Sequence, residues 1–588
     1  MVSAIFALCD EYVSRYAALD PLYAAGRGIA GDFGAVTDLG PDGIAARAQL
    51  VHDTLHTLET LTAAGGLSDA DRHAADHLRE RLTAERDWHA LDEPLRLLNA
   101  VYGPLRVISG NVEEARPAVE DAADWERTHA RLAAVPVMLA SWRAALALGL
   151  ERGLPAARRQ AVETALRADR LAGVDGAPVE RLPGAAPTSS ARGVHARLLA
   201  EYGDGPLAVP LAKAAEAAHA GYAELAGYLR DEYAPRATER DGVGARRYAV
   251  ASRLALGADV DLLEAYDWAW AELHAVEAEL ASEAARVTGG SRDVDAAIAM
   301  LDATQYVEGA DAYRGWLQER LDEAVDRLDG AQFDIAPPLR TIEARLLPVP
   351  GESGAFYLPP DERLTRPGRT FWGVADRGRF GVWAEQTTVC HEGVPGHHLQ
   401  VGHVATSGER LSRFARCFGV SGHSEGWAVY AERLADELGW FSEPGTRLGT
   451  LRIRARQAAR VVIDIGLHLD LPVPEPDAAR HGPQWTFEVT RDVLATRGRC
   501  VPHRLDTEVV RYCGKPGQAT GYKLGERAWL AAREEARARE GAAFDLRRWH
   551  RDALDLGPIG LSLLPEALRT RAIRTRAIRT PAPDSLGR

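Results

Sequence analysis

The segment Cys390-His391-Glu392-Gly393-Val394-Pro395-Gly396-His397-His398-Leu399-Gln400 places three histidines and a glutamate within eight positions. Imidazole nitrogens and a carboxylate are the donors of a catalytic Zn²⁺ site, and a Glu directly after the first His is how zinc hydrolases present a general base. In the common H-E-x-x-H pattern the two His stand four apart and share a helix face. Here that fourth position is Pro395, and the next histidine is His397. On a straight helix His397 would lie about 240° around from His391, and His398 would return to the same face about 10 Å further along. Pro395 has no N–H for the His391 carbonyl and its ring clashes there, so the spacing predicts a helix that kinks or stops, with Gly396 free to turn. Such a turn brings His397 back beside His391. His398 is the alternative second ligand, or a contact to a ligand or to substrate.

A catalytic zinc takes three protein ligands and keeps one position for water. The third ligand is expected in Gly422-His423-Ser424-Glu425-Gly426-Trp427-Ala428-Val429-Tyr430-Ala431-Glu432. Glu425 follows His391 by 34 positions, room for one helix to end and a second to return alongside. Glu425 and Glu432, seven apart, share a helix face, which predicts Glu425 as the ligand and Glu432 as the group behind a ligand. Cys390 precedes the motif, but a Glu-bearing metal motif accounts for that neighbourhood better than a cysteine nucleophile does.

Four motifs in order, H-E-x-x-P-G-H-H-x-Q, E-G-W-A-x-Y-x-E, R-x-x-x-D-x-G-x-H and P-G-Q-A-x-x-Y-K, resemble the bacterial domain-of-unknown-function 885 family, most clearly from Tyr357 to Leu564. The resemblance implies a divergent zincin-like metallopeptidase with a mostly helical, two-lobed fold and a small β-sheet beside the active-site cleft; it implies little about substrate. It also directs attention to Arg460, Asp464 and His468, whose four-residue spacing puts them on one stripe of an otherwise apolar helix. Asp464 is expected to orient a zinc-ligating His, and His468 to donate to the oxyanion. By analogy with helical zincins, Tyr522 is the candidate to hold the tetrahedral intermediate. Arg511 or Lys523 is available for a substrate carboxylate.

The reading that follows is a Zn²⁺-dependent hydrolase of amide or peptide bonds. His391, His397 and Glu425 hold the metal, and Glu392 takes a proton from water and passes it to the leaving amine. Its partner is a short peptide or small amide. An amidase of a specialised metabolite and a non-catalytic metal-binding relative are the alternatives. Two His and one carboxylate also suit non-haem iron, but the adjacent Glu392 favours zinc hydrolysis.

The elements that must position these groups are mainly helices. Helical spacing is expected over Asp69 to Leu91, Trp125 to Leu150, Ala212 to Tyr233, Leu262 to Val287 and Ala310 to Leu328. Further helices are expected from about Ala384 into the His cluster, over Ser424 to Leu438, and over Thr450 to Leu469. Thr341–Leu347 and Thr370–Val374 read as strands, the second able to pair with an extended substrate. The organisation expected is a helical scaffold lobe over 1–335, a catalytic lobe over 336–568, the two able to count as one domain, and a basic disordered tail over 569–588. Gly173–Gly193 reads as a surface loop within the scaffold.

A net charge of −14 argues against nucleic-acid and anionic-membrane partners. The five scattered cysteines suit free thiols in a reducing cytoplasm. Met1 to Leu8 lacks a basic flank and reads as the start of a helix, not as a signal peptide, and no run of about 18 apolar residues suggests a membrane span.

Overall fold

The computed structural model describes residues 3–27, 29, 35–113, 122–174, 195–347, 355–360, 364, 366–374 and 378–579. Among the described residues the chain is mostly helical, with two small sheets. The expected helices form within a few residues of their spacing: Asp69–Ala90, Ala122–Glu151, Leu262–Thr288 and Ala310–Leu328. Their starts are set by local chemistry. Ser68 and Asp71 close a capping box, and the Asp261 carboxylate accepts from the N–H groups of Leu263 and Glu264. The expected helix to Tyr233 ends as an α-helix at Gly227 and finishes in a wider turn over Tyr228–Tyr233. The Gly173–Gly193 loop falls almost wholly outside the described residues.

The N-terminal helices do not keep a core to themselves. The largest core joins Leu273, Val276 and Leu280 of Leu262–Thr288 to Ala458, Val462 and Ile465 of the long buried helix Pro444–Leu469. Phe414 and Phe418 insert into the bundle of Ala4–Leu19, Pro41–Ala63 and Asp69–Ala90. Residue 335 therefore marks a change of sequence texture but not a gap between cores: Ala324, Phe333 and Leu339 pack with Val394, Trp427 and Trp529. Ala122–Glu151 is long and apolar enough to cross a membrane by length and composition, yet half of its most apolar window is buried in the fold.

In the three-stranded sheet Gly368–Gly373 is central, parallel to Ile342–Leu347 and antiparallel to Phe356–Leu358. The strand expected to pair with substrate is thus an interior one over Arg369–Phe371, where its ladder is taken from both sides, while Trp372 and Gly373 pair on the Ile342–Leu347 side alone among the described strands. A second pair, Tyr306–Glu308 with Arg379–Gly381, was not legible as strands because each is three residues long. The basic tail is helical rather than disordered as far as Arg579, in Leu564–Arg579. Arg569 pairs there with Glu566 and Glu535, and Arg571 with Asp555, which ties the start of the repeat to the fold. Residues 580–588 lie outside the described ones.

Candidate metal centre

The helix Glu385–Glu392 ends where its sequence says it must. The Gly393 N–H reaches the Val389 carbonyl at 2.8 Å, a cis Val394–Pro395 bond follows, and the Gly396 N–H donates back to the Cys390 carbonyl at 3.0 Å. A new helix, His397–Thr406, then begins. A Cβ at residue 396 would sit 2.0 Å from the His391 carbonyl oxygen, so only glycine lets the chain fold back so closely on the turn it has left. The rings of His391 and His397 consequently lie 4.8 Å apart and nearly perpendicular.

The third group comes from the helix Ser421–Glu437. Trp427 of this helix donates its indole N–H to the Pro395 carbonyl at 2.8 Å, pinning the turn against it. Glu425 Oε2 lies 3.5 Å from His391 Nε2 and 3.6 Å from His397 Nε2. One donor atom from each of the three residues falls within 4.8 Å of the others. Zinc–nitrogen distances near 2.05 Å in tetrahedral geometry separate ligand atoms by about 3.3–3.5 Å, so this donor set fits a zinc ion. Glu432, seven positions on, takes the other ring nitrogen: His391 Nδ1–H donates to Oε1 at 2.7 Å. Gln457 holds that carboxylate in turn, its amide donating at 3.2 and 3.3 Å. This arrangement turns Nε2 of His391 toward the common point, where a metal would displace any proton it carries. Burial opposes charge on His391, but Glu425 and Glu432 outweigh it and push its pKa well up.

Glu392 stands beside the trio, 6 % exposed, with no partner for Oε2 among the described residues. Burial raises its pKa against the pull of His391 and His397. A buried carboxylate with an unpartnered oxygen, within electrostatic reach of His391, His397 and Glu425, is placed to exchange a proton there.

Tyr522 arrives through an unusually close helix pair. Gly426 of Ser421–Glu437 packs on Gly525 of Gly521–Glu540, and a Cβ at 426 would meet the Gly525 Cα at 2.4 Å. This approach lays the Tyr522 ring parallel to His391 with 6.4 Å between centroids, and the Arg460 guanidinium 4.6 Å from the Tyr522 centroid. The hydroxyl has no hydrogen-bond partner among the described residues. Burial, with the Glu425 charge, pushes its pKa up to about 12, so it stays a donor.

Other expected site residues face elsewhere. His398 is fully buried: its Nε2–H donates to the Leu339 carbonyl at 2.8 Å and its Nδ1 accepts from the Tyr357 hydroxyl at 3.1 Å. It ties the helix to the sheet and is not a ligand. Asp464 does not orient a histidine of the trio. Its Oδ2 accepts from the Tyr248 hydroxyl and the Gly517 N–H, both at 2.7 Å, which anchors the Pro516-Gly517 loop. His468 cannot serve an oxyanion, because it donates to the Tyr512 carbonyl at 3.0 Å and stacks on Tyr248 in the core. Lys523 is 1 % exposed and spent on Glu526 and Glu272 at 2.6 and 2.7 Å. Arg460 and Arg511 are near the site but share Glu508, at 3.1 and 3.2 Å. The stripe rule was right about the face and wrong about the neighbour: 464 and 468 lie beyond the site, one and two turns past Arg460.

Gln457 escaped the sequence reading because it carries no chemistry of its own, although it lies on the same helix face as residues 460, 464 and 468, one turn before Arg460. Tyr102 and Lys515 were also missed. They come from opposite ends of the chain and meet beside a cavity of about 390 Å³. The trio does not line that cavity, but Ser421, at the start of the helix that carries Glu425, does, as do Lys515 and Gln518.

The chain belongs to the family described as bacterial protein of unknown function (DUF885), whose model matches residues 21–568. Two solved structures share the fold. One, called "putative lipoprotein", is from Colwellia psychrerythraea, with TM-score 0.77, 19 % identity, and coverage of 97 % of this chain and 99 % of that one. The other, a protein of unknown function from Shewanella oneidensis bearing the same name, has TM-score 0.70, 16 % identity, and coverage of 97 % and 100 %. No curated protein matches.

Proposed function

We propose that this chain is a zinc-dependent hydrolase of amide bonds in short peptides, built as a two-lobed, zincin-like fold around an enclosed cleft. The observation that carries the reading is the convergence of His391, His397 and Glu425, with the buried Glu392, one oxygen unpartnered, in electrostatic reach of all three. The three would hold the metal, which when bound polarises a carbonyl and makes water acidic enough to ionise near neutral pH. Glu392 takes the proton of the attacking water at Oε2 and returns it to the leaving nitrogen; its raised pKa brings it closer to both tasks. Glu432 keeps the His391 ring in one tautomer and orientation. Tyr522 donates its hydroxyl to the oxygen that gains charge. The roughly 390 Å³ cavity suits a short peptide or small amide better than a folded protein.

Metal analysis and a short-peptide panel test this. Purified protein should carry one zinc; Glu392→Gln should keep it and lose about 10²- to 10⁴-fold in turnover. His397→Ala should lose zinc and His398→Ala retain it. Unchanged turnover in Glu392→Gln, or equal zinc loss in the two His variants, would sink the reading. Acylated amines added to the panel separate a peptidase from a small-molecule amidase. The five free cysteines, four of them buried, support a reducing compartment, and host-cell fractionation tests that against the location the relatives' names suggest for them.

A further inference from the structure

The proposed chemistry leaves one cation of the cavity wall unused. Five cations line the cavity: Arg81, Arg96, Arg240, Arg247 and Lys515. Arg81 pairs with Glu80, Arg96 and Arg247 with Glu93, and Arg240 with Asp470. Lys515 is exposed in the cavity and has no acid partner among the described residues. Its ammonium lies 5.1 Å from the ring centroid of Tyr102, which also faces the Arg511 guanidinium at 5.4 Å.

This corner is held from several sides. The Asn99 side chain accepts from the N–H groups of Val101 and Tyr102 at 2.8 and 2.6 Å, fixing the turn that presents Tyr102. Buried Gln160 accepts from the Ala100 N–H at 3.0 Å and donates to the Val510 carbonyl at 2.8 Å, so one side chain joins the Tyr102 turn to the helix that ends before Lys515. A Cβ at Gly514 would meet Gln160 and Asn99 at 2.5–2.8 Å, so the two segments pass in tight contact. Asp464 holds the far side through the Gly517 N–H. The charges that act on Lys515 are Arg511 beside it and Glu425 of the trio, which puts it within electrostatic reach of the reactive centre. Glu508 is the acid shared by Arg460, Arg504 and Arg511, so this side of the centre keeps a positive surplus in a protein of net charge −14.

We infer that Lys515, backed by Tyr102 and Arg511, is the subsite for a free C-terminal carboxylate, so that the chain trims peptides from the carboxyl end. The trimming rests on the hydrolase reading above; the subsite does not. An ammonium with no acid partner on a cavity wall attracts a carboxylate and repels a peptide's amino terminus. The carboxylate then fixes which amide bond reaches Glu392.

The test uses the full chain carrying Glu392→Gln, titrated by calorimetry with N-acetyl-Ala-Phe, its C-terminal amide, and N-acetyl-Ala-Glu amide, with and without Lys515→Met or Lys515→Arg. The free acid should bind about ten- to hundredfold tighter than its amide. Lys515→Met should bring that ratio close to one, and Lys515→Arg should restore most of it. A ratio near one with Lys515 present, a ratio that survives Lys515→Met, or a Lys515-dependent preference for the acidic side chain alone overturns the subsite. Turnover of the same peptides by the unmutated chain separates the two ideas. Cleavage without acid preference removes the subsite and leaves the hydrolase, whereas Lys515-dependent preference without cleavage supports the subsite and removes the hydrolase.

Discussion

Replacing Glu432 by Gln probes the metal centre without touching a ligand. The side chain is 2 % exposed, its Oε1 lies 2.7 Å from His391 Nδ1, and Gln457 contacts both oxygens. The substituted amide keeps the shape and can still accept from Nδ1–H, so the loss is the negative charge behind the imidazole. A charge-assisted hydrogen bond contributes about 1.5–3 kcal/mol, roughly 1 kcal/mol more than its neutral counterpart. Outer partners of metal-bound histidines typically contribute ten- to hundredfold in affinity, about 1.4–2.7 kcal/mol. Zinc affinity of Glu432→Gln, read by competition with a chromophoric chelator, should therefore fall about tenfold, and up to hundredfold. Asp464→Asn is the control, since the stripe pattern assigned it this task and the structure puts it on Tyr248 and Gly517 instead. It should leave zinc affinity unchanged. Wild-type affinity in folded Glu432→Gln, or an equal drop in Asp464→Asn, would refute the argument.

Two further outcomes follow from packing and protonation. Gly426→Ala forces a Cβ to within 2.4 Å of the Gly525 Cα, backbone that cannot step aside, so stability should drop by about 3 kcal/mol or more and zinc affinity with it. An unchanged denaturant midpoint would mean that the two helices are not in this contact. His89, His398, His423, His468 and His550 are held neutral by burial, their pKa values lowered to about 3–4. Depressed histidines contribute stability that is present above pH 6.5 and lost as pH falls toward 4, because the unfolded chain then binds protons the fold refuses. Buried Glu85 and Asp464, pushed up to about 7, act with the opposite sign. From these seven groups alone, unfolding near pH 5.5 should take up about two to three protons, a loss of about 3–4 kcal/mol per pH unit. Denaturant midpoints that stay flat from pH 6.5 to 5 would contradict this.

What could be read from the sequence was whatever depends on residues close together in the chain. Helices Ala310–Leu328 and Pro444–Leu469 follow from apolar period, and the break at Pro395 from a missing N–H. The donor types of His391, Glu392, His397 and Glu425 already named a chemistry, and residues 21–568 a family. The tertiary structure alone decided everything that depends on direction. His397 and His398 are adjacent in the chain, yet the turn at Gly396 aims one at Glu425 and the other at Leu339 and Tyr357. A shared helix face could not tell Arg460, which reaches Tyr522, from His468, which is sealed in the core, because a face is a line and a site is a point on it. Tyr102 and Lys515 are more than 400 positions apart. Gln160 and the glycine contact at residue 514 help bring them together, and no local pattern records such a meeting.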